Sequence, residues 1–116
     1  MSENGQNFIA GAWCDGQGTI ANINPSDLSD QIGHYAQADS AQLDSALDAA
    51  RTAQKKWAAT GLEARQTILM NIGNELMERR VELGTLLSRE EGKPLAEGVG
   101  EIYRAGQFFT YYAAEV

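Results

Sequence analysis

From Asp39 to the end of the chain, apolar residues fall at helical spacing, and this periodicity restricts the fold more than any other feature. Leu43, Ala46, Leu47, Ala50, Ala53 and Trp57 form one stripe, while Asp44, Asp48, Arg51 and Lys55 mark the solvated face. Asp39 or Ser40 is the expected N-cap, with Gln42 three residues after Asp39 as in a capping box. Thr60-Gly61-Leu62-Glu63 reads as a second capping box, opening a helix that turns Ile68, Leu69, Ile72 and Leu76 inward. Arg79-Arg80 suits that helix's C-terminal end, where positive charge meets the backbone dipole. Leu83, Leu86 and Leu87 mark a third helix that stops at Gly92. Pro94 then suits the first turn of a fourth. The fourth helix runs to the end with Ala105, Phe109, Tyr112 and Val116 on one face, widened by Phe108 and Tyr111.

The residues before Asp39 read differently. Phe8–Trp13 is a short apolar run, and Asp15-Gly16-Gln17-Gly18 is the expected hairpin turn after it. Thr19–Ile23 alternates in a strand-favouring pattern. Pro25 holds Asn24 extended, Ser26–Asp30 is a polar turn cluster, and Gln31–Ala36 is a third strand. The expected fold is mainly α with a small N-terminal antiparallel β unit, divided into residues 1–38 and 39–116. Such a β unit is too small to be stable alone.

Charge narrows the function classes. Nine Lys and Arg stand against sixteen Asp and Glu, a net charge of -7, with no cationic cluster longer than Lys55-Lys56 or Arg79-Arg80. Nucleic acid is therefore not an expected partner, because phosphate contacts need clustered positive charge. No stretch approaches the length of apolar residues that crosses a bilayer, so no membrane role is expected. Met1–Asn7 lacks the basic and apolar regions of a secretory signal, and the single cysteine fits a reducing compartment. The expected location is cytoplasmic.

The familiar chemical constellations are missing. Cys14 and His34 are the only residues of their types, and nothing in the sequence places them together. Gly98-Val99-Gly100 is not a dinucleotide fingerprint, since Tyr103 stands where the third glycine belongs and no strand precedes it. Gly92-Lys93 is not a phosphate loop, because Leu87 and Pro94 break the pattern. Glu90 and Glu91 point about 100° apart on a helix and read as a charged last turn. The aromatic end, Phe108–Tyr112, reads as core or as the lining of a pocket mouth. It closes the chain in mid-stripe, as an N-terminal piece of a larger protein would.

An ordered set of phrases resembles the NAD(P)-dependent aldehyde dehydrogenases. Phe8-Ile9-Ala10-Gly11-Ala12-Trp13 is similar to that family's opening strand, and Asn24-Pro25-Ser26 with Ile32-Gly33 to its Asn-Pro turn and next strand. Leu47–Arg51 with Trp57 is similar to its first long helix, and Glu63-x-Arg65 with Ile68-Leu69 to the start of its second. Glu90-Glu91-Gly92-Lys93-Pro94-Leu95-Ala96-Glu97, followed by Gly100-Glu101-Ile102 and Tyr111-Tyr112-Ala113, is the most specific phrase. The wording from Asn24 to Ala38 resembles a branch acting on 2-oxoglutarate semialdehyde.

The resemblance implies the α/β aldehyde dehydrogenase fold for a longer protein. Residues 39–116 would then be a helical segment of its nucleotide-binding domain. It implies oxidation of an aldehyde to a carboxylate with NAD or NADP, with the catalytic Cys and Glu outside this chain, which alone would be inactive and bind no cofactor. Cys14 matches neither. The implied partners are an aldehyde and the remainder of the enzyme, or self-association into an oligomer. The resemblance also places a monovalent cation at Asn22, Ile23 and Glu90, with Glu90 as an N-cap or surface carboxylate without an ion the alternative. It places Gly100, Glu101, Arg104, Ala105 and Phe108 beside the substrate entrance, where Arg104 either attracts an anionic substrate or pairs with Glu101. Two readings compete with the dehydrogenase. One is a stand-alone acidic helical module that binds a partner through its aromatic last helix. The other is a small acid/base enzyme using Glu90, Glu91 or Glu101.

Overall fold

The computed structural model describes residues 3–115, with side chains from residue 5 onward. Val116, expected on the apolar face of the last helix, lies outside the described residues. The chain forms two compact units, Met1–Asn24 with Leu28–Ala59 and Pro25–Asp27 with Thr60–Val116.

The first unit holds strands β1 (Glu3–Gly5), β2 (Asn7–Ile9), β3 (Ala12–Cys14), β4 (Gly18–Ile23) and β5 (Gln31–Gln37), then helix α1 (Ser40–Ala58). β2 and β3 form an antiparallel pair and β4 runs antiparallel to β5, which agrees with the expected antiparallel unit although the β2–β3 hairpin falls inside the run read as one segment. β5 is the central strand of the order β1-β5-β4, and its Ile32 and Gly33 are buried. The register steps from Asn22 opposite Gly33 to Ile23 opposite Gln31, so Ile32 is an extra residue on β5 that bends the strand. β1 joins β5 in parallel, which the sequence reading of an antiparallel unit does not anticipate. A polar Glu-Asn-Gly stretch has no side-chain period to read. It pairs through backbone, and a Cβ at Gly5 would stand 2.6 Å from Tyr35 Cδ1.

The first turn is not where the sequence puts it. The hairpin closes at Ala10-Gly11, both with positive φ (54° and 83°), so Phe8–Trp13 is itself the hairpin and Asp15–Gly18 only links β3 to β4. Both central residues with φ > 0 make a turn whose twist matches the flanking strands. The turn brings the Phe8 and Trp13 rings to 4.9 Å.

α1 starts as expected. Asp39 Oδ1 accepts the Gln42 backbone N–H at 2.8 Å. The Gln42 side chain does not close the box. Its Nε2 donates to the Asp15 carbonyl at 2.8 Å and its Oε1 accepts from Asn7 Nδ2 at 2.8 Å, tying the helix start to the hairpin. No residue of α1 is buried, so Leu43, Leu47 and Trp57 carry their apolar stripe to the surface of the unit.

The second unit packs α4 (Leu95–Glu115) against α2 (Leu62–Glu78) and α3 (Arg80–Glu91). Gly61, not Thr60, is the α2 N-cap and offers no side-chain cap. The inward face of α2 is Leu69, Gly73, Leu76 and Met77, while the expected core residues Ile68 and Ile72 are exposed. The inward face of α4 is likewise displaced. Gly98, Gly106 and Ala113 are buried with Ile102 and Phe109 half-buried, and Tyr112 faces out. The reason is close approach. A Cβ at Gly84 would lie 2.6 Å from Val99 Cα, and one at Gly98 would lie 2.5 Å from the Gly84 carbonyl oxygen. Small residues therefore set the closest approaches, with Leu69, Leu76, Ile102 and Phe109 half-buried beside them.

Candidate functional site

The outward face of α4 carries the chemistry that this unit offers. The end of α3 fixes its approach. Gly92 adopts φ 70° and ψ 26° as the left-handed cap, and the Lys93 N–H returns to the Ser88 carbonyl at 3.1 Å. Ser26 Oγ donates to the Gly92 carbonyl at 2.6 Å. Pro94 follows, and its carbonyl accepts the first helical N–H bonds, from Glu97 and Gly98, at 3.0 and 3.2 Å. The stop and restart predicted from the Gly-then-Pro order are both present.

Between the two helices Lys93 folds inward to 14% side-chain exposure. Its Nζ donates to Glu91 Oε2 and to Glu101 Oε2, each at 2.6 Å. The hydrogen bond to Glu101, then that to Glu91, holds the ammonium above the ordinary lysine pKa. The sequence gives no sign of this bridge. Lys93 precedes α4, so its eight-residue separation from Glu101 is not a helical period.

Glu101, Arg104, Ala105 and Phe108 follow one another at helical steps. Gly100, Glu101 and Arg104 are exposed and Ala105 is half-buried. Phe108 is 56% exposed. Arg104, Gln107, Phe108, Tyr111 and Tyr112 line an open depression, with the two tyrosine rings edge-on at 5.3 Å. Both tyrosines belong to this surface, which agrees with the pocket-mouth alternative for Phe108–Tyr112 rather than the core one. Among the described residues, Arg104 makes no ion pair, and Glu101 is engaged by Lys93 instead.

The remaining sequence candidates fall elsewhere. Asn22 and Ile23 lie on β4 of the first unit at the register step, with Asn22 half-buried and Ile23 exposed. Glu90 is half-buried in the last turn of α3 in the second unit. Glu91 is engaged by Lys93. Cys14 Sγ donates to the Asn7 carbonyl at 3.3 Å, and His34 Nδ1 lies 3.4 Å from Gln31 Nε2. Gly98-Val99-Gly100 sits inside α4 with Gly98 packed on α3, so its amides are spent in the helix and cannot cradle a pyrophosphate. Among the described residues no group of three His, Cys, Asp or Glu side chains is placed to hold a metal ion. No helix among them is long and apolar enough to cross a membrane.

Comparison with known proteins gives this geometry a context. A family model described as the aldehyde dehydrogenase family matches residues 13–116. N-succinylglutamate 5-semialdehyde dehydrogenase of Chromobacterium violaceum is 40% identical over 82% of the chain and 20% of its own length. The NADP-dependent succinate-semialdehyde dehydrogenase of Escherichia coli is 37% identical over 95% of the chain and 23% of its own. The alpha-ketoglutarate semialdehyde dehydrogenase of Haloferax volcanii is 31% identical over 99% and 24%. The crystal structure of an aldehyde dehydrogenase from Brucella melitensis superposes with a TM-score of 0.90 at 31% identity, covering 95% of the chain and 23% of that protein. The chain thus spans between a fifth and a quarter of the length of these relatives.

Proposed function

The chain belongs to the aldehyde dehydrogenase family, and we propose that it forms the N-terminal segment of a semialdehyde dehydrogenase that oxidises the aldehyde to a carboxylate with NAD or NADP. In this reading residues 1–38 contribute strands and residues 39–116 a helical part of the nucleotide-binding domain. Exposed apolar residues such as Leu43, Leu47 and Trp57 are covered by the remainder of the enzyme or by self-association. The location is cytoplasmic. A stand-alone interaction module is not favoured, since the family match runs through the aromatic helix on which that reading rested.

One observation carries the substrate class. The outward face of α4 sets a guanidinium, without an ion-pair partner among the described residues, beside Phe108, Tyr111 and Tyr112. A semialdehyde bears a carboxylate at its far end, and a guanidinium recognises that group by charge-assisted hydrogen bonds. The three relatives named above act, by their names, on such compounds. Gly100, Glu101, Arg104, Ala105 and Phe108 accordingly border the substrate entrance.

Nucleotide binding and hydride transfer are assigned, as the resemblance implies, to residues outside this chain; Gly98-Val99-Gly100 is helical and forms no phosphate-binding turn. Asn22, Ile23 and Glu90 are assigned to a monovalent cation, supported by their places in the resembling phrases and by their hard oxygen donors. Replacing Glu90 by Gln in the complete enzyme is expected to abolish any potassium or sodium dependence of its stability.

The test of the activity is nicotinamide reduction by the whole polypeptide carrying this chain, with succinate semialdehyde and with a neutral aldehyde of equal length. The semialdehyde is expected to be preferred. Arg104→Ala is expected to lower its kcat/KM by about tenfold or more, the worth of one hydrogen-bonded charge. No reduction with either aldehyde overturns the reading.

A further inference from the structure

Glu101 and Arg104 stand three residues apart on α4, with the acid nearer the N-terminus. Side chains at this spacing are neighbours on a helix and normally pair. Here they do not. Glu101 Oε2 is 2.6 Å from Lys93 Nζ, and Arg104 has no ion-pair partner among the described residues. Lys93 reaches Glu101 from outside the helix, from a backbone position held by the left-handed Gly92 and by the Lys93 N–H bond to Ser88.

We propose that Lys93 is a positioning residue for substrate selection: by holding Glu101 it withdraws the one acid that would pair with Arg104, and so leaves the Arg104 guanidinium available to a carboxylate-bearing aldehyde. The inference rests on the reading of α4 as a substrate entrance. It adds a residue that touches no substrate. The ammonium draws on two carboxylates, Glu91 and Glu101, and these contacts favour its charged form throughout the neutral range. Without it, Glu101 is free to swing by one helical step. A carboxylate about 4 Å from a guanidinium offsets its attraction for an incoming anion by a factor of roughly five to ten, even in a largely aqueous setting.

The experiment reads one ratio in the complete enzyme: kcat/KM for succinate semialdehyde over kcat/KM for the neutral aldehyde of equal length. Lys93→Met is expected to lower that ratio about fivefold to tenfold, through KM. Lys93→Arg, which still reaches both carboxylates, is expected to keep the ratio. Adding Glu101→Gln to Lys93→Met is expected to restore it, which a merely structural role for Lys93 does not predict. If Lys93→Met fails to fold, Lys93→Gln is read in the same way. A folded variant whose ratio does not fall, or a fall that Glu101→Gln does not reverse, overturns the role of Lys93. Should Arg104→Ala still lower the ratio in that case, the substrate reading stands without it. A ratio unmoved by Arg104→Ala overturns both.

Discussion

Gly73 on α2 and Gly106 on α4 face each other across the helix crossing, and a Cβ at either would lie 2.8 Å from the other's carbonyl oxygen. Backbone therefore crowds both positions, and a side-chain atom crowds each as well: Thr110 Cγ2 at 2.7 Å from a Cβ at Gly73 and Met77 Cγ at 2.5 Å from one at Gly106. Gly106→Ala is expected to destabilise by roughly 1–3 kcal/mol from overpacking, reduced by the ~0.5–1 kcal/mol that alanine gains over glycine in a helix. Gly100→Ala meets nothing within 4 Å and is expected to stabilise by about 0.5–1 kcal/mol. Urea midpoints at unchanged slope measure both. Equal and favourable shifts for the two variants contradict the tight crossing.

Ala10 holds φ 54° in the hairpin turn, a conformation in which its Cβ crowds the following carbonyl. Asn tolerates that conformation better than other side chains. Ala10→Asn is therefore expected to stabilise the first unit by about 1 kcal/mol. Amide hydrogen exchange across β2 and β3 reads the change locally. Slower exchange is expected there, and unchanged exchange argues that the turn is not strained.

These two sites show what the sequence discloses and what it hides. The four helices, the Asp39 cap, the Gly92 stop and the strands Gly18–Ile23 and Gln31–Gln37 follow from periodicity and end signals, because those are local properties. The hairpin was misplaced because its turn is written Ala-Gly, while Asp-Gly-Gln-Gly nearby carries the stronger turn chemistry. The helix faces were displaced for a non-local reason. A glycine counts as nothing in an apolar stripe, yet Gly73, Gly84, Gly98 and Gly106 decide where helices touch. At the candidate site Glu101, Arg104 and Phe108 were legible through the resemblance as candidates only, which the structure sets on the exposed side of α4. The Lys93 bridge was not, since it joins a loop residue to a helix residue at a spacing that no local rule marks.

Arg79 is gripped by Glu82 through two hydrogen bonds, at 2.8 and 3.0 Å, and by Glu75 at 3.0 Å. The hydrogen bond from Arg79 holds the Glu82 carboxyl below its ordinary pKa. The sign follows from linkage: the pair's contribution is present above the ordinary carboxylate pKa and lost as pH falls through the lowered one. Lys93 has the opposite sign. Its contribution is present below the ordinary lysine pKa and lost as pH rises through the raised one. Carboxyl carbon titration by NMR is expected to give Glu82 a midpoint below that of an unpaired glutamate, and Arg79→Gln is expected to return it. A Glu82 midpoint that Arg79→Gln leaves in place contradicts the pairing.

Gly92 and Ser26 are coupled through both backbone and side chain. Ser26 Oγ donates to the Gly92 carbonyl at 2.6 Å, and the same oxygen blocks the space a Cβ at Gly92 would need, with Pro25 Cγ 2.9 Å away. Gly92→Ala therefore meets two penalties: the left-handed conformation, roughly 1–2 kcal/mol for an L-residue, and the clash. Ser26→Ala loses one hydrogen bond to a carbonyl, about 1 kcal/mol. In the double variant the blocking oxygen is gone, so part of the Gly92→Ala clash is relieved. The hydrogen bond that Gly92→Ala would itself distort is also no longer there to lose. The double-mutant cycle is expected to show a loss smaller than the sum of the single losses by at least ~0.5 kcal/mol, the coupling of residues in direct contact. Additive losses would mean that the αL conformation alone sets the cost at Gly92. The Ser26 contact would then play no part in fixing the loop from which Lys93 reaches Glu101.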